Sequence, residues 1–177
     1  LSHSTRMRVP AENVRDLVLG SANILNGEIG GPSIKPYQPK GIWEIASSGR
    51  GSLMNYIQDH NQDLYRRGMY VFIKRTVPPP SMLIFDASNR DQCEVQRGRT
   101  NTPLQALVLL NDPVFVEISK KIAQDMSKMK EPDTSKRIAA MYQKMFIHEV
   151  NSKDLNTFMR LFEQGVKLDP KNPQKGF

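Results

Sequence analysis

One cysteine, Cys93, stands in a chain of 177 residues. That excludes an intrachain disulfide, a thiolate zinc cluster and covalent haem attachment, which needs a second cysteine followed by histidine. A lone thiol is compatible with a reducing compartment and with a disulfide-free exported protein alike. Histidine is almost as scarce. His3, His60 and His148 are far apart, and none has a carboxylate or cysteine at ligand spacing. His148, beside an apolar face, reads as a helix-end residue. No window approaches the ~20 apolar residues of a membrane span, and no basic-then-apolar leader is present. The Gly30-Gly31-Pro32-Ser33 turn lacks the lysine and the following helix of a phosphate loop. There is no internal repeat and no low-complexity tract, and the Arg97–Asp112 stretch holds no nucleophile–base pair.

What is there describes a protein that can hold a core. The chain is 38% apolar with a mean hydropathy of −0.51. A chain this long buries roughly 70% of its unfolded surface, so it needs no staples. It opens on Leu1 rather than Met, so it reads as an excerpt of a longer protein. The net charge is +7, from 25 basic and 18 acidic residues. An excess of this size suits an anionic partner, but Arg6, Arg8, Arg15, Lys35, Arg66, Lys120, Lys136 and Lys171 are scattered and mostly interleaved with acids. No aromatic platform alternates with a basic stripe, which argues against specific nucleic-acid binding.

Apolar periodicity and caps place the elements. Val14, Leu17, Val18, Ser21 and Leu25 predict a helix over 10–26, stopped by Gly27. Residues 27–41 carry Pro32, Pro36 and Pro39 and form an extended loop. A short helical turn is expected at 42–46 and a turn at Gly49–Ser52. Leu64, Tyr65, Gly68, Met69, Phe72 and Ile73 predict a helix over 63–76, although Tyr70–Ile73 has strand propensity. Pro78-Pro79-Pro80 ends it, and 81–100 reads as a long polar loop.

The most explicit stretch is Arg97–Pro113. Thr102 is a good N-cap, Pro103 stands at the first helical position, and Gln105 can close a capping box onto Thr102. Asp112-Pro113 repeats the device. Helices are predicted over 103–110, 113–129, 135–148 and, after a Ser152 cap, 153–166, with Pro170 and Pro173 ending the order. The fold class is all-α: a single irregular domain across 1–177, ordered over about 5–168, with about six helices and long Pro/Gly-rich loops.

The candidate chemistry gathers in the 81–100 loop and its borders. Asp86, Arg90, Arg97, Arg99, Asn101 and Lys74 could grip an anion, since guanidinium forks match phosphate, sulfate or uronate. Asp86 and Glu94 could serve as a general acid/base pair. The structural reading of the same residues is an ion-paired brace, in which Asp86 pairs with Arg97 or Arg99 and supports the start of the 103–110 helix. That reading is favoured, because a loop without ladders must satisfy its polar groups somehow. Tyr37, Trp43, Tyr56, Tyr65 and Tyr70 are read as packing near the prolines rather than as sugar platforms. Met126, Met129, Met141, Met145 and Met159 read as core filler.

The blocks Gly31-Pro32-Ser33-Ile34-Lys35-Pro36-Tyr37-Gln38-Pro39-Lys40-Gly41-Ile42-Trp43-Glu44, Asp63-Leu64-Tyr65-Arg66-Arg67, Lys74-Arg75-Thr76-Val77-Pro78-Pro79-Pro80 and Phe85-Asp86-Ala87, with Arg90, Cys93 and the Arg99–Pro113 run, carry a resemblance. Over about residues 5–165 the chain resembles the C-terminal domain of unknown function in large planctomycete-type cytochrome-c-like proteins. The resemblance implies a parent with an N-terminal haem segment, a second domain of unknown function, and export to the periplasm or cell surface. No haem would belong to this domain itself. It supplies no catalytic residues. Gly68 departs from the serine more usual in that family, and Gln96 from a common basic residue.

Together these observations predict a non-catalytic helical module of an exported, haem-bearing envelope protein. It would pack against upstream domains of the same polypeptide or bind an anionic ligand such as a glycan. The rival is an enzyme domain acting on polysaccharide or on a sulfated or uronic glycan, with Asp86 and Glu94 as acid and base.

Overall fold

A computed structural model describes residues 8–46, 55–88 and 90–169; His3, the Gly49–Ser52 turn, Pro170 and Pro173 lie outside the described residues. Among the described residues there are seven α-helices, two 3-10 turns and three isolated bridge pairs, with no strand. The fold is all-α. Its contacts form two compact units, one up to Val116 and one from Glu117 onward.

In the first unit α1 covers Ala11–Ser21. It stops five residues before the periodicity does, because Asn23 takes the left-handed conformation at φ 55°. Asn23 N–H then reaches Gly20 O at 3.0 Å and Ile24 N–H reaches Leu19 O at 3.2 Å. This is the paired bonding of a Schellman stop, and Asn tolerates the required backbone better than most residues. Glycine at 27 is not the terminator.

The helix expected over 63–76 does not form. Two 3-10 turns, Asn61–Tyr65 and Gly68–Tyr70, stand there, and the backbone around them pairs with the proline-rich loop. Asn26 N–H donates to Tyr65 O at 2.9 Å, Ile34 N–H to Tyr70 O at 2.8 Å, and Phe72 N–H to Ile34 O at 2.8 Å. Arg66 completes the join. Its buried guanidinium donates to the carbonyls of Pro32 at 2.6 Å and of Gly30, and lies 4.0 Å from the Tyr70 ring centroid. Long-range hydrogen bonds have thus overridden an i,i+3/i+4 pattern.

The same segment clamps α1. Asp16 accepts from Gly68 N–H at 2.5 Å and pairs with Arg67 at 3.2 Å. A Cβ on residue 68 would lie 2.5 Å from Glu12 O and 2.8 Å from Glu12 Cα. Glycine is needed there for the close approach of two backbones.

The short helix α2, Ile42–Ala46, buries Trp43. Its indole N–H donates to Gln38 Oε1 at 2.5 Å, and its ring packs 4.8 Å from Tyr56 and 5.8 Å from Phe72. Burial holds the Tyr56 phenol well above its ordinary pKa, with Asp59 adding to the effect and Arg15 opposing it. A second cluster joins Ala11, Ile34, Val71 and Met82, with Tyr70, Phe85 and Ala87 against it. Met82 belongs to α3, Pro80–Ile84, a helix inside the segment expected to be irregular. The triple proline starts this helix, since Pro80 stands at a first-turn position where its missing N–H costs nothing. α4 spans Pro103–Asn111 and α5 Pro113–Ser127. Asp112 Oδ1 accepts from Val114 N–H at 2.9 Å, the expected cap.

In the second unit the remainder of α5 buries Ile118 and Met126, and α6, Thr134–Phe146, packs with α7, Ser152–Leu168. Asp133 caps α6 by accepting from Ser135 N–H at 2.9 Å. Asn151, rather than Ser152, caps α7, accepting from Asp154 N–H at 2.8 Å. Tyr142 lies 4.7 Å from Phe146, 5.9 Å from Phe158 and 5.2 Å from His148. His148 is an aromatic partner at a helix end.

Candidate functional site

The candidate residues converge where α3 ends. Ala87 N–H reaches Met82 O at 3.0 Å and Asp86 N–H reaches Leu83 O at 3.0 Å, a Schellman stop with Asp86 left-handed at φ 60°. The hydrophobic contact that accompanies such a stop is present, since Ala87 packs on the Met82 cluster. This backbone fixes Asp86, and its carboxylate meets the chain fourteen residues on. Thr100 N–H donates to Oδ2 at 2.7 Å and the Thr100 hydroxyl to Oδ1 at 2.8 Å.

Gln105 ties the same point to α4. It is 6% exposed. Its Nε2 donates to Ile84 O at 2.9 Å and to Thr100 Oγ1 at 3.2 Å. Its Oε1 accepts from Arg8 Nη1 at 3.1 Å, and Arg8 also bonds Thr100 O. The capping box between Thr102 and Gln105 is therefore not made. Thr102 forms no side-chain cap, and the Gln105 amide serves the α3 terminus.

The expected ion pair is also rearranged. Asp86 meets Thr100 and not an arginine, while Arg97 holds Glu12 of α1 through Nη1 at 2.8 and 3.0 Å to the two carboxylate oxygens. At the α4 start Thr100 binds Asp86, and Gln105 binds Ile84 and Arg8, in place of an Asp86–arginine pair.

Asp86, Arg97 and Arg99 line one cleft of about 420 Å³, with Arg8, Val9, Pro10, Phe85, Val95, Gln96, Gly98 and Gln105. Arg90, Asn101, Lys74 and Glu94 are not on its walls. Arg90 is left-handed at φ 62°, with its backbone N–H bonded to Ser88 Oγ. Asn101 and Glu94 are exposed. The Lys74 ammonium lies 4.6 Å from the Trp43 ring centroid. Among the described residues no three His, Cys, Asp or Glu side chains converge as a metal site would need, and Cys93 is exposed. Thr100, Arg8 and Glu12 carry no site signal in the sequence, because their roles are set by pairings across the fold. Gln105 had a visible signal: it is the one polar residue between Pro103 and Asn111.

The sequence matches the model of the family described as PSD1, a protein of unknown function (DUF1553), over residues 1–162. The chain belongs to this family. No curated protein and no solved structure matches it. No helix among the described residues is long and apolar enough to cross a membrane.

In this PSD1 chain α4 presents a second surface. α4 is inside out: Leu104, Leu107, Leu109 and Leu110 are 51, 55, 44 and 75% exposed, while the polar Gln105 is buried. From Thr100 to Asn111 there is no charged residue.

Proposed function

We propose that this PSD1 domain is a non-catalytic packing module that docks through α4 against a neighbouring domain of the same polypeptide. The observation that carries the reading is the inversion of α4. A helix apolar on nearly every face belongs in an interior, and a contiguous exposed apolar patch marks an interaction surface. Fully burying one leucine is worth about 1.5–3 kcal/mol, so four half-exposed leucines leave several kcal/mol for a partner to recover.

Permanence of the contact follows from composition. Interfaces that are never exposed resemble a domain core cut in half, whereas transient ones keep polar and charged groups. A charge-free dozen residues fits the former. The resemblance to haem-bearing envelope proteins supplies the setting: an exported polypeptide with upstream domains, one of which would cover α4. An acid/base role for Asp86 is the weaker reading, since both its oxygens accept hydrogen bonds from Thr100.

The test compares amide hydrogen exchange of α4 in this chain alone and in a longer polypeptide carrying its upstream neighbour. Strong added protection at residues 104–110 in the longer chain is expected, and Leu107→Ser should remove it while leaving the short chain folded. Equal exchange in both would end the docking reading.

A further inference from the structure

We propose that the cleft below α3 binds an oxyanion carried on a ring with apolar faces, the uronate or sulfate ester of a sugar, with Arg99 as its anchor. The proposal concerns a different surface from the α4 leucines and stands or falls separately. The cleft's volume, about 420 Å³, falls inside the ~300–1,000 Å³ range of small-molecule sites.

A charge account of its walls leaves one group over. Asp86 is held by Thr100. Arg8 is engaged by Thr100 O and Gln105, and Arg97 by the two oxygens of Glu12. Arg99 lines the cleft and, among the described residues, makes neither an ion pair nor a side-chain hydrogen bond. Its guanidinium presents a planar fork of donors suited to a carboxylate or sulfate. Among the described lining residues, Arg8, Arg97 and Arg99 set against Asp86 and the Glu12 partner leave a net charge of one positive, and Arg99 is the cation whose donors are unengaged.

The remaining wall selects the body of the ligand. Val9, Pro10, Phe85 and Val95 offer apolar surface, and the Gln96 amide is the polar group beside them. Such a wall gives the C–H face of a sugar ring a packing surface and one amide for its hydroxyls. A bare inorganic anion would reach Arg99 and leave the apolar wall untouched. Phosphate-loop chemistry has no part in this, because among the described residues the lining includes no glycine-rich turn opening a helix.

The experiment is a calorimetric titration of the intact chain with a glucuronate disaccharide, a sulfated glucose disaccharide, the neutral glucose disaccharide and inorganic sulfate. One or both acidic sugars should bind, with the better of the two naming the oxyanion, and the neutral sugar and inorganic sulfate should bind at least roughly tenfold more weakly. Arg99→Ala should weaken the acidic sugar by roughly tenfold or more, with an unchanged melting temperature, and Arg99→Lys should restore part of the loss. Raised salt should weaken it further. Equal binding of the neutral sugar, equal binding of inorganic sulfate, no binding by either acidic sugar, or indifference to Arg99→Ala would each overturn the proposal.

Discussion

Asp86 shows how one residue can do two jobs that are separable by substitution. Its backbone ends α3 in the left-handed region at φ 60°, and its carboxylate holds Thr100 through the N–H and the hydroxyl. Hydrogen bonds to a charged group contribute about 1.5–3 kcal/mol, and a left-handed residue bearing a Cβ costs about 1–2 kcal/mol unless its side chain compensates. Asp86→Ala should therefore lower stability by about 2–4 kcal/mol, the hydrogen-bond loss being the larger part. Asp86→Gly recovers the backbone part and should lie about 1 kcal/mol above the alanine variant. Asp86→Asn keeps an acceptor for Thr100 N–H and should be the mildest of the three. Urea melts of the series decide it. An alanine variant as stable as the parent would show that the α3 terminus is held by something other than this carboxylate.

At the scale of elements, legibility follows the range of the interactions. For the four C-terminal helices the sequence predicts 103–110, 113–129, 135–148 and 153–166, within a few residues of the observed Pro103–Asn111, Pro113–Ser127, Thr134–Phe146 and Ser152–Leu168. Their determinants are local: apolar stripes, prolines at first turns and caps at Asp112 and near residue 152. The N-terminal half was not legible in the same way. The 63–76 stripe gave way to Arg66 binding carbonyls more than thirty residues away and to pairing with the 26–34 loop, which no window of spacing contains. Of the site, Asp86, Arg97 and Arg99 were identified and do share a cleft. The partners of Asp86 and Arg97 are not legible: Thr100 acts through a hydroxyl and a backbone N–H, which leave little trace, and Glu12 stands 85 residues from Arg97.

Gly68 in that segment had a legible side and a hidden one. In the sequence it reads as one position of the helical stripe, but its purpose is steric contact with α1. Gly68→Ala forces a methyl into the Glu12 backbone and should destabilise the protein by about 1–3 kcal/mol, the range of core overpacking. The clamp by Asp16 should loosen with it, visible as faster amide exchange through α1. A neutral Gly68→Ala variant would mean that α1 and the 3-10 turn can separate without cost.

Across the whole molecule, the two compact units should respond to opposite ends of the pH scale. In the second unit, hydrogen bonds from Ser135 hold the Asp133 carboxyl below its ordinary 3.8, and the Lys121 ammonium, hydrogen-bonded at 2.5 Å, does the same for Asp125. A depressed carboxyl pKa means that the unfolded chain takes up protons first. The stabilisation is complete above the ordinary carboxylate pKa and is lost as pH falls through the folded value. In the first unit Tyr56 has the opposite sign. Its raised pKa means that the folded state keeps the phenolic proton longer, so stability is intact below about pH 10 and declines as pH climbs from there. Trp43, the single tryptophan, packs 4.8 Å from Tyr56 and reports that unit alone. Its fluorescence should therefore reveal an alkaline loss of packing beginning above about pH 10, and Tyr56→Phe, which removes the titrating proton but keeps the ring, should shift that loss to higher pH. The acid response should be read instead from amide exchange at the start of α6, where Asp133→Ala should both weaken protection at neutral pH and flatten its decline below pH 4. Alkaline fluorescence that ignores Tyr56→Phe would place the sensitivity in another group of the first unit, and an acid response of α6 that ignores Asp133→Ala would remove the cap as its cause.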